Sequence, residues 1–323
     1  INFLNTKLEK DIFICYFWNS IRYAIGMISN FFKEKVKENF AFEPTIEQAK
    51  ALDAIVEFLF LQKEESIFLL KGYAGTGKSS LLGALVKTMT DFKQKTVLLA
   101  PTGRAAKVFA SYANHPAFTI HEKIYRQQRY SGALGNFGVM DNLYKDTLFI
   151  VDEASMISNK GLDSSYFGTG RLLDDLIHFV YSGENCRLLL IGDSAQLPPV
   201  NEEDSPALQS EVLIGYGLEV REAMLSQIVR QAESSGILYN ATKIRNALSK
   251  GKTDAYPKLK LNKFVDILRI SGEDLIDEIS SSFDKTGIEN TMIVTRSNKR
   301  GNIYNQGIRN RILYREEDVS SCE

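Results

Sequence analysis

A chain of 323 residues, 44% of them hydrophobic, is long enough for two domains and apolar enough for a packed core. Its formal net charge of −1 excludes nucleic-acid binding through an overall positive field, so any such site must be a local basic patch. Cys15, Cys186 and Cys322 lie far apart with no C-x-x-C pair, and His115, His121 and His178 lack metal-ligand spacing, which argues against a disulfide framework or zinc site and suits a reducing, cytoplasmic compartment.

The chain begins at Ile1 rather than Met, which reads as a fragment or a processed start. Residues 1–40 read as a separate N-terminal helical segment. Asp11–Phe32 is rich in aromatic and aliphatic residues, but Asn19, Ser20, Arg22, Ser29 and Asn30 interrupt it, and polar groups at mid-bilayer depth are costly. No small-residue cleavage site follows, which weakens a signal-peptide reading. An amphipathic helix packed on the body, ending in the charged stretch Lys33–Asn39, is the expectation, with no membrane partner.

Phe42-Glu43-Pro44-Thr45-Ile46-Glu47-Gln48 opens a helix through Phe60. Thr45 as N-cap and Gln48 three residues on make a capping box. The Gln48 amide also has the donor and acceptor to read the N6/N7 edge of adenine. Both readings stay open. The stretch Ser66–Asp91 then runs from an apolar strand through Gly72-Tyr73-Ala74-Gly75-Thr76-Gly77-Lys78-Ser79 into a helix with Leu81, Leu85 and Met89 at i+4. The turn fits G-x-x-x-x-G-K-[ST], the phosphate-binding loop. Its backbone N–H groups would cradle phosphate at a helix N-terminus. Lys78 would reach the β- and γ-phosphates, and the Ser79 hydroxyl would bind Mg²⁺.

Thr96–Ala100 is a second buried strand, running into Pro101-Thr102-Gly103-Arg104 and a helix; Thr119-Ile120-His121 follows a loop containing Pro116. Residues 126–146, turn-rich around SGALGNFG with Tyr130 and Phe137, read as a small β-hairpin insert or an ordinary surface loop. Thr147–Val151 delivers Asp152-Glu153 at its end. Two adjacent acids are too costly to bury unpaired; Asp152 suits the Mg²⁺ shell, Glu153 the attacking water. Arg187–Ile191 is a fourth strand, ending Gly192-Asp193-Ser194-Ala195-Gln196-Leu197-Pro198-Pro199-Val200, where Gln196 could sense a γ-phosphate. Strands with helical crossovers and polar residues at their carboxyl ends make a doubly wound parallel sheet, with ligands at that edge.

Beyond Pro206 the pattern restarts. Met224–Arg230 leads into Gln231 and a helix through Leu248; Phe264–Ile270 reads as a strand, Gly272–Phe283 as a helix and Thr291–Thr295 as a strand. The basic run Arg296, Lys299, Arg300, Arg309, Arg311 and Arg315 is equally a solvated helix face. The domain expectation is therefore 41–212 for the first α/β domain and 213–323 for a second.

Together these blocks resemble superfamily 1B DNA helicases, the 5′→3′ branch with RecD-like proteins and the phage Dda type. The likeness covers Phe42–Arg315, with GYAGTGKSS, APTGRAA, TIH, VDEAS, GDSAQLPPV and LSQIVRQ in the family's order. It implies a P-loop NTPase: a RecA-like domain, a small 1B-type hairpin insert and a second RecA-like domain. That second domain is incomplete, because motifs V and VI do not follow Arg315. Gln48, Gly72, Ala74, Gly75, Thr76, Gly77, Lys78, Ser79 and Ser80 would bind ATP, and Ser79 and Asp152 the Mg²⁺. Lys78, Glu153, Gln196 and an arginine finger, Arg230, would carry catalysis. Thr102, Gly103, Arg104, Thr119, His121, Phe137, Thr295, Asn298 and Arg300 would meet DNA, with the insert as a strand-splitting pin.

The resemblance further implies ATP-driven movement on single-stranded and fork DNA, in a setting such as repair or recombination. A non-motor, ATP-gated single-strand binder is the competing reading. An unrelated phosphate-loop kinase or ATPase would lack the GDSAQLPPV and LSQIVRQ blocks.

Overall fold

The computed structural model describes residues 26–40, 42–60, 65–127, 137–161, 167–227, 235–249 and 256–314. They fall into two units, Ile1–Gln231 and Ala232–Glu323.

In the first unit, residues 26–38 are helical (α1). Then come α2 (Ile46–Phe60), β1 (Ser66–Gly72), α3 (Lys78–Asp91), β2 (Lys95–Ala100), α4 (Gly103–Ala113), β3 (Ala117–Thr119) and α5 (Ile120–Ile124). The order continues with β4 (Tyr125–Gln127), β5 (Phe137–Val139), β6 (Thr147–Val151), α6 (Leu172–Tyr181), β7 (Arg187–Gly192), α7 (Ser210–Ile214) and β8 (Glu219–Leu225). Six strands form one sheet in the order β3-β2-β6-β7-β1-β8, every pairing parallel.

Strands covered on both faces need apolar residues at successive positions, not only alternate ones. Ile67, Phe68, Leu69 and Leu70 of β1 are all fully buried. Successive side chains then face opposite sides. Phe68 and Leu70 enter a core with α2 and α3, while Ile67 and Leu69 enter one with α5 and α6.

The helix 26–38 belongs to this body. Phe32 and Val36 are buried in the first core, and the Phe32 ring meets Phe60 and Phe92 edge-on at 5.7 and 5.3 Å. Lys33 pairs with Asp53 on α2. Most of Asp11–Phe32 lies outside the described residues. Among those described, no helix is long and apolar enough to cross a membrane.

The hairpin reading of the insert is realised at its base, where β4 and β5 pair antiparallel; Tyr130 and the rest of 128–136 lie outside the described residues. The expected boundary at 212/213 is corrected. β8 hydrogen-bonds in parallel along the whole of β1, Ser66 opposite Glu219 through Gly72 opposite Leu225, so the first unit continues to Gln231. As an edge strand β8 is only partly buried, and its charged residues hide it from an apolar-run criterion.

The second unit contains α8 (Gly236–Ser249), α9 (Leu275–Thr286) and α10 (Asn298–Arg311). The strands expected at Phe264–Ile270 and Thr291–Thr295 have no hydrogen-bonded partner strand, so the described part of this unit carries no sheet. An apolar run becomes a strand only when a neighbour takes its backbone groups; here Val265 and Val294 stand in solvent. No residue of α10 is buried.

Phe32→Ala should lower the unfolding free energy by about 3 kcal/mol, the cost of removing a buried aromatic ring. Chemical denaturation of the full chain checks this; no loss would mean that the N-terminal helix is not part of the body.

Candidate nucleotide site and nucleic-acid interface

Because the sheet is parallel, the carboxyl ends of β1, β7 and β6 open side by side, and each delivers functional groups there. Between β1 and α3 the phosphate-binding loop turns through Gly75 (φ 80°) and Gly77 (φ 84°), left-handed values that favour glycine. Thr76 is buried and its hydroxyl donates to the Tyr73 carbonyl at 2.8 Å. The Lys78 ammonium donates to the carbonyls of Gly72 (2.6 Å) and Tyr73 (3.0 Å). Burial pushes the Lys78 pKa down, opposed by the charges of Asp193, Asp152 and Glu153.

Gln48 joins the two sequence readings. Its Oε1 accepts from the Thr45 N–H at 2.9 Å while its own N–H donates to the Thr45 hydroxyl at 3.2 Å, completing the capping box. Its Nε2 donates to the Thr76 carbonyl at 2.9 Å. The side chain thus ties the start of α2 to the loop and still lines the cavity.

At the end of β6, Asp152 Oδ1 accepts from the Glu153 N–H at 2.9 Å and Oδ2 from the Tyr112 hydroxyl at 2.6 Å. Glu153 has a left-handed backbone (φ 56°), an uncommon state for a non-glycine residue that clusters at functional sites. Burial and then the Asp152 charge push its pKa up, while a hydrogen bond from Gln196 and the charge of Lys78 act the other way. Gln196 is also held by Ser155, whose hydroxyl donates to its Oε1 at 3.0 Å. From β7, buried Asp193 accepts from the Ala195 N–H at 2.9 Å and faces Lys78.

A cavity of about 310 Å³ brings together Gln48, Ala74, Gly75, Gly77, Lys78, Ser79, Ser80, Asp152, Glu153 and Gln196. Gly72 and Thr76 are not among the residues lining it: Gly72 faces Leu225, whose Cβ a Cβ at Gly72 would meet at 3.0 Å, and Thr76 is buried. Arg230 lies outside the described residues. Phe40, Phe42, Glu43 and Tyr73 also line the cavity, none of them among the expected site residues.

The Ser79 hydroxyl and Asp152 carboxylate are hard oxygen donors on one wall, the set Mg²⁺ takes when substrate phosphates complete its shell. Among the described residues no group of three or more acidic, His or Cys side chains could hold a metal alone. Carboxylates outnumber the single ammonium here, so a polyphosphate needs an accompanying cation.

The expected DNA contacts divide into two places. Thr102 and Thr119 cap α4 and α5, accepting from the N–H groups of Ala105 (3.2 Å) and Glu122 (3.1 Å). Since Ala100 pairs with Thr119 across β2 and β3, Thr102, Gly103, Arg104, Thr119 and His121 gather at one sheet edge. Burial pushes the His121 pKa down. Phe137 stacks on Phe167 at 4.8 Å, and His121 meets Phe167 edge-on at 5.2 Å. The Phe137 ring therefore packs the base of the insert rather than projecting as a free pin. Thr295, Asn298 and Arg300 sit in the other unit, at the start of α10, where Ser297 is the N-cap.

The chain belongs to the AAA domain family, which it matches over residues 45–267. Its sequence relatives include RecD2 and Pif1 DNA helicases. The RecD2 DNA helicase of Deinococcus radiodurans is 27% identical over 219 residues, covering 67% of this chain and 25% of the relative. The Pif1 helicase of Bdellovibrio bacteriovorus is 32% identical over 155 residues, covering 48% and 32%. A Pif1 helicase structure from Candida albicans is 16% identical with a TM-score of 0.46, covering 83% of this chain and 54% of that one. The chain spans a third or less of the length of these two sequence relatives.

Gln48→Ala should cost about 1–2 kcal/mol of stability without nucleotide, since it removes the cap partner and the tie to Thr76; thermal or chemical unfolding in nucleotide-free buffer measures it. Glu47 offers a pH test. Its carboxylate accepts from Ser226 Oγ and N at 2.6 Å each and from the Gln227 N–H at 2.8 Å, which hold its pKa below the ordinary 4.5. A depressed carboxylate stabilises the fold above the unfolded pKa, and this is lost as pH falls through the folded value. Wild type should therefore lose stability faster than Glu47→Gln as pH falls below about 4.5; parallel curves would show the clasp contributes nothing.

Proposed function

We propose that this chain carries the motor core of an ATP-driven DNA helicase that moves 5′→3′ on single-stranded DNA and separates fork duplex. The observation that carries the reading is the single cavity shared by Lys78, Ser79, Asp152, Glu153 and Gln196, at the carboxyl edge of the sheet that also bears Thr102 and Thr119.

Lys78 exchanges the loop carbonyls for phosphate oxygens, and the loop N–H groups hold the remaining negative charge. Ser79 and Asp152 would hold Mg²⁺, which would supply charge neutralisation at the transferring phosphoryl group. Glu153, with its pKa raised toward the range of a useful base, orients and deprotonates the attacking water. Gln196 touches Glu153 and Ser155, so it senses the γ-phosphate from the β7 loop. Arg230 supplies the finger charge.

On the DNA side, the Thr102 and Thr119 hydroxyls accept from their helices and keep their protons for phosphate oxygens. Arg104, exposed, supplies positive charge; His121, with a depressed pKa, is neutral at pH 7 and contributes its ring. Thr295, Asn298 and Arg300 grip the strand from the second unit. Cysteine usage supports a cytoplasmic setting, and repair or recombination is the setting such activity serves. The second reading, an ATP-gated single-strand binder without unwinding, is favoured by the absence of a sheet among the described residues of the second unit.

Single-stranded DNA should stimulate ATP hydrolysis, with affinity falling steeply as salt rises, and Lys78→Ala should abolish turnover. A 5′-tailed duplex should unwind and a 3′-tailed one should not. Hydrolysis unaffected by DNA would overturn the motor reading; DNA-stimulated hydrolysis without strand separation would select the binder.

A further inference from the structure

We infer that Tyr112 is a positioning residue that locks the Mg²⁺ ligands Ser79 and Asp152 in register, an inference that rests on the nucleotide-site reading above. Tyr112 lies in the last turn of α4, 40 residues before Asp152, and no phosphate-loop or strand-end motif includes it. Its phenol donates to Asp152 Oδ2 at 2.6 Å and lies beside the side chain of Ser79. With the Glu153 N–H on Oδ1 at 2.9 Å, the Asp152 carboxylate is held at both oxygens.

The tyrosine is itself held on two sides. Its ring stacks on Phe109, one turn earlier, with centroids 5.2 Å apart and planes 25° apart. Its backbone lies against Gly83, where a Cβ would stand 3.0 Å from the Tyr112 carbonyl oxygen. Gly83 is one turn beyond Ser79 on α3, so the close approach of the two helices fixes the distance from the tyrosine backbone to the first turn of α3. A phenol on a stacked ring then spans to β6. Outer partners of this kind orient a metal-binding carboxylate and set its affinity.

Position also gives Tyr112 a consequence beyond the cavity. The same helix begins at Thr102 and Gly103, the expected DNA contacts, so α4 carries one proposed grip at its first turn and the metal ligands' anchor at its last.

The test is binding of a fluorescent ADP analogue to the full chain at increasing Mg²⁺. Tyr112→Phe keeps the ring stack and removes only the hydroxyl. It should raise the Mg²⁺ concentration for half-maximal binding roughly ten-fold, leaving metal-free binding unchanged. Asp152→Asn provides a second measurement: in that background Tyr112→Phe should add little further shift, because the shared contact is already altered. An unshifted Mg²⁺ dependence, an equal loss with and without Mg²⁺, or full additivity with Asp152→Asn would each overturn the proposal. Wild-type binding that ignores Mg²⁺ would overturn the metal-nucleotide reading itself, and Tyr112's role with it.

Discussion

The parallel pairing of β1 with β7 on one side and β8 on the other is what the rest of the first unit depends on. Parallel strands require crossovers, crossovers place helices on both faces, and covered faces demand continuous apolar runs. The same geometry brings every strand's carboxyl end to one edge. Gly72 to Ser79, Asp152 with Glu153, and Asp193 with Gln196 come from different parts of the chain, yet the strand ends set them side by side. Without parallel register there would be a glycine-rich turn and some acids, but no shared cavity.

Within that cavity, charge and hydrogen bonding rather than apolar contact arrange the groups. Lys78 is partly desolvated and faces more carboxylates than it can neutralise. Glu153 sits in a left-handed backbone with a raised pKa. Such arrangements disfavour a tightly packed core and favour a polyanion arriving with its cation. Gln48 shows that the structural and the functional reading need not exclude each other. The amide that closes the capping box also fastens the phosphate loop and reaches the cavity.

Residues with strong local signatures were legible in advance. The strand-turn-helix around Gly72–Ser79, the buried runs of β2, β6 and β7, and the acids that end β6 and β7 are all local features of the sequence. Patterning failed where a neighbour decides the outcome. Phe264–Ile270 and Thr291–Thr295 have strand-like composition but no paired strand beside them, whereas β8, with Glu219, Arg221 and Glu222, looks unlike a strand and completes the sheet against β1. Phe137 was expected to meet DNA; the structure stacks its ring on Phe167, thirty residues further on.

The sequence by itself determined the chemistry available: a phosphate loop, paired acids, a glutamine at a strand end and a capping box at Thr45 and Gln48. These are local properties, set by backbone torsions and by contacts a few residues apart. Only the tertiary structure decided which groups meet. Tyr112 and Asp152, or Glu47 and Ser226, are joined by side-chain reach across packed elements, and no rule of spacing along the chain contains that distance. The same holds for Gly72 and Thr76, motif residues by pattern that packing leaves out of the cavity lining.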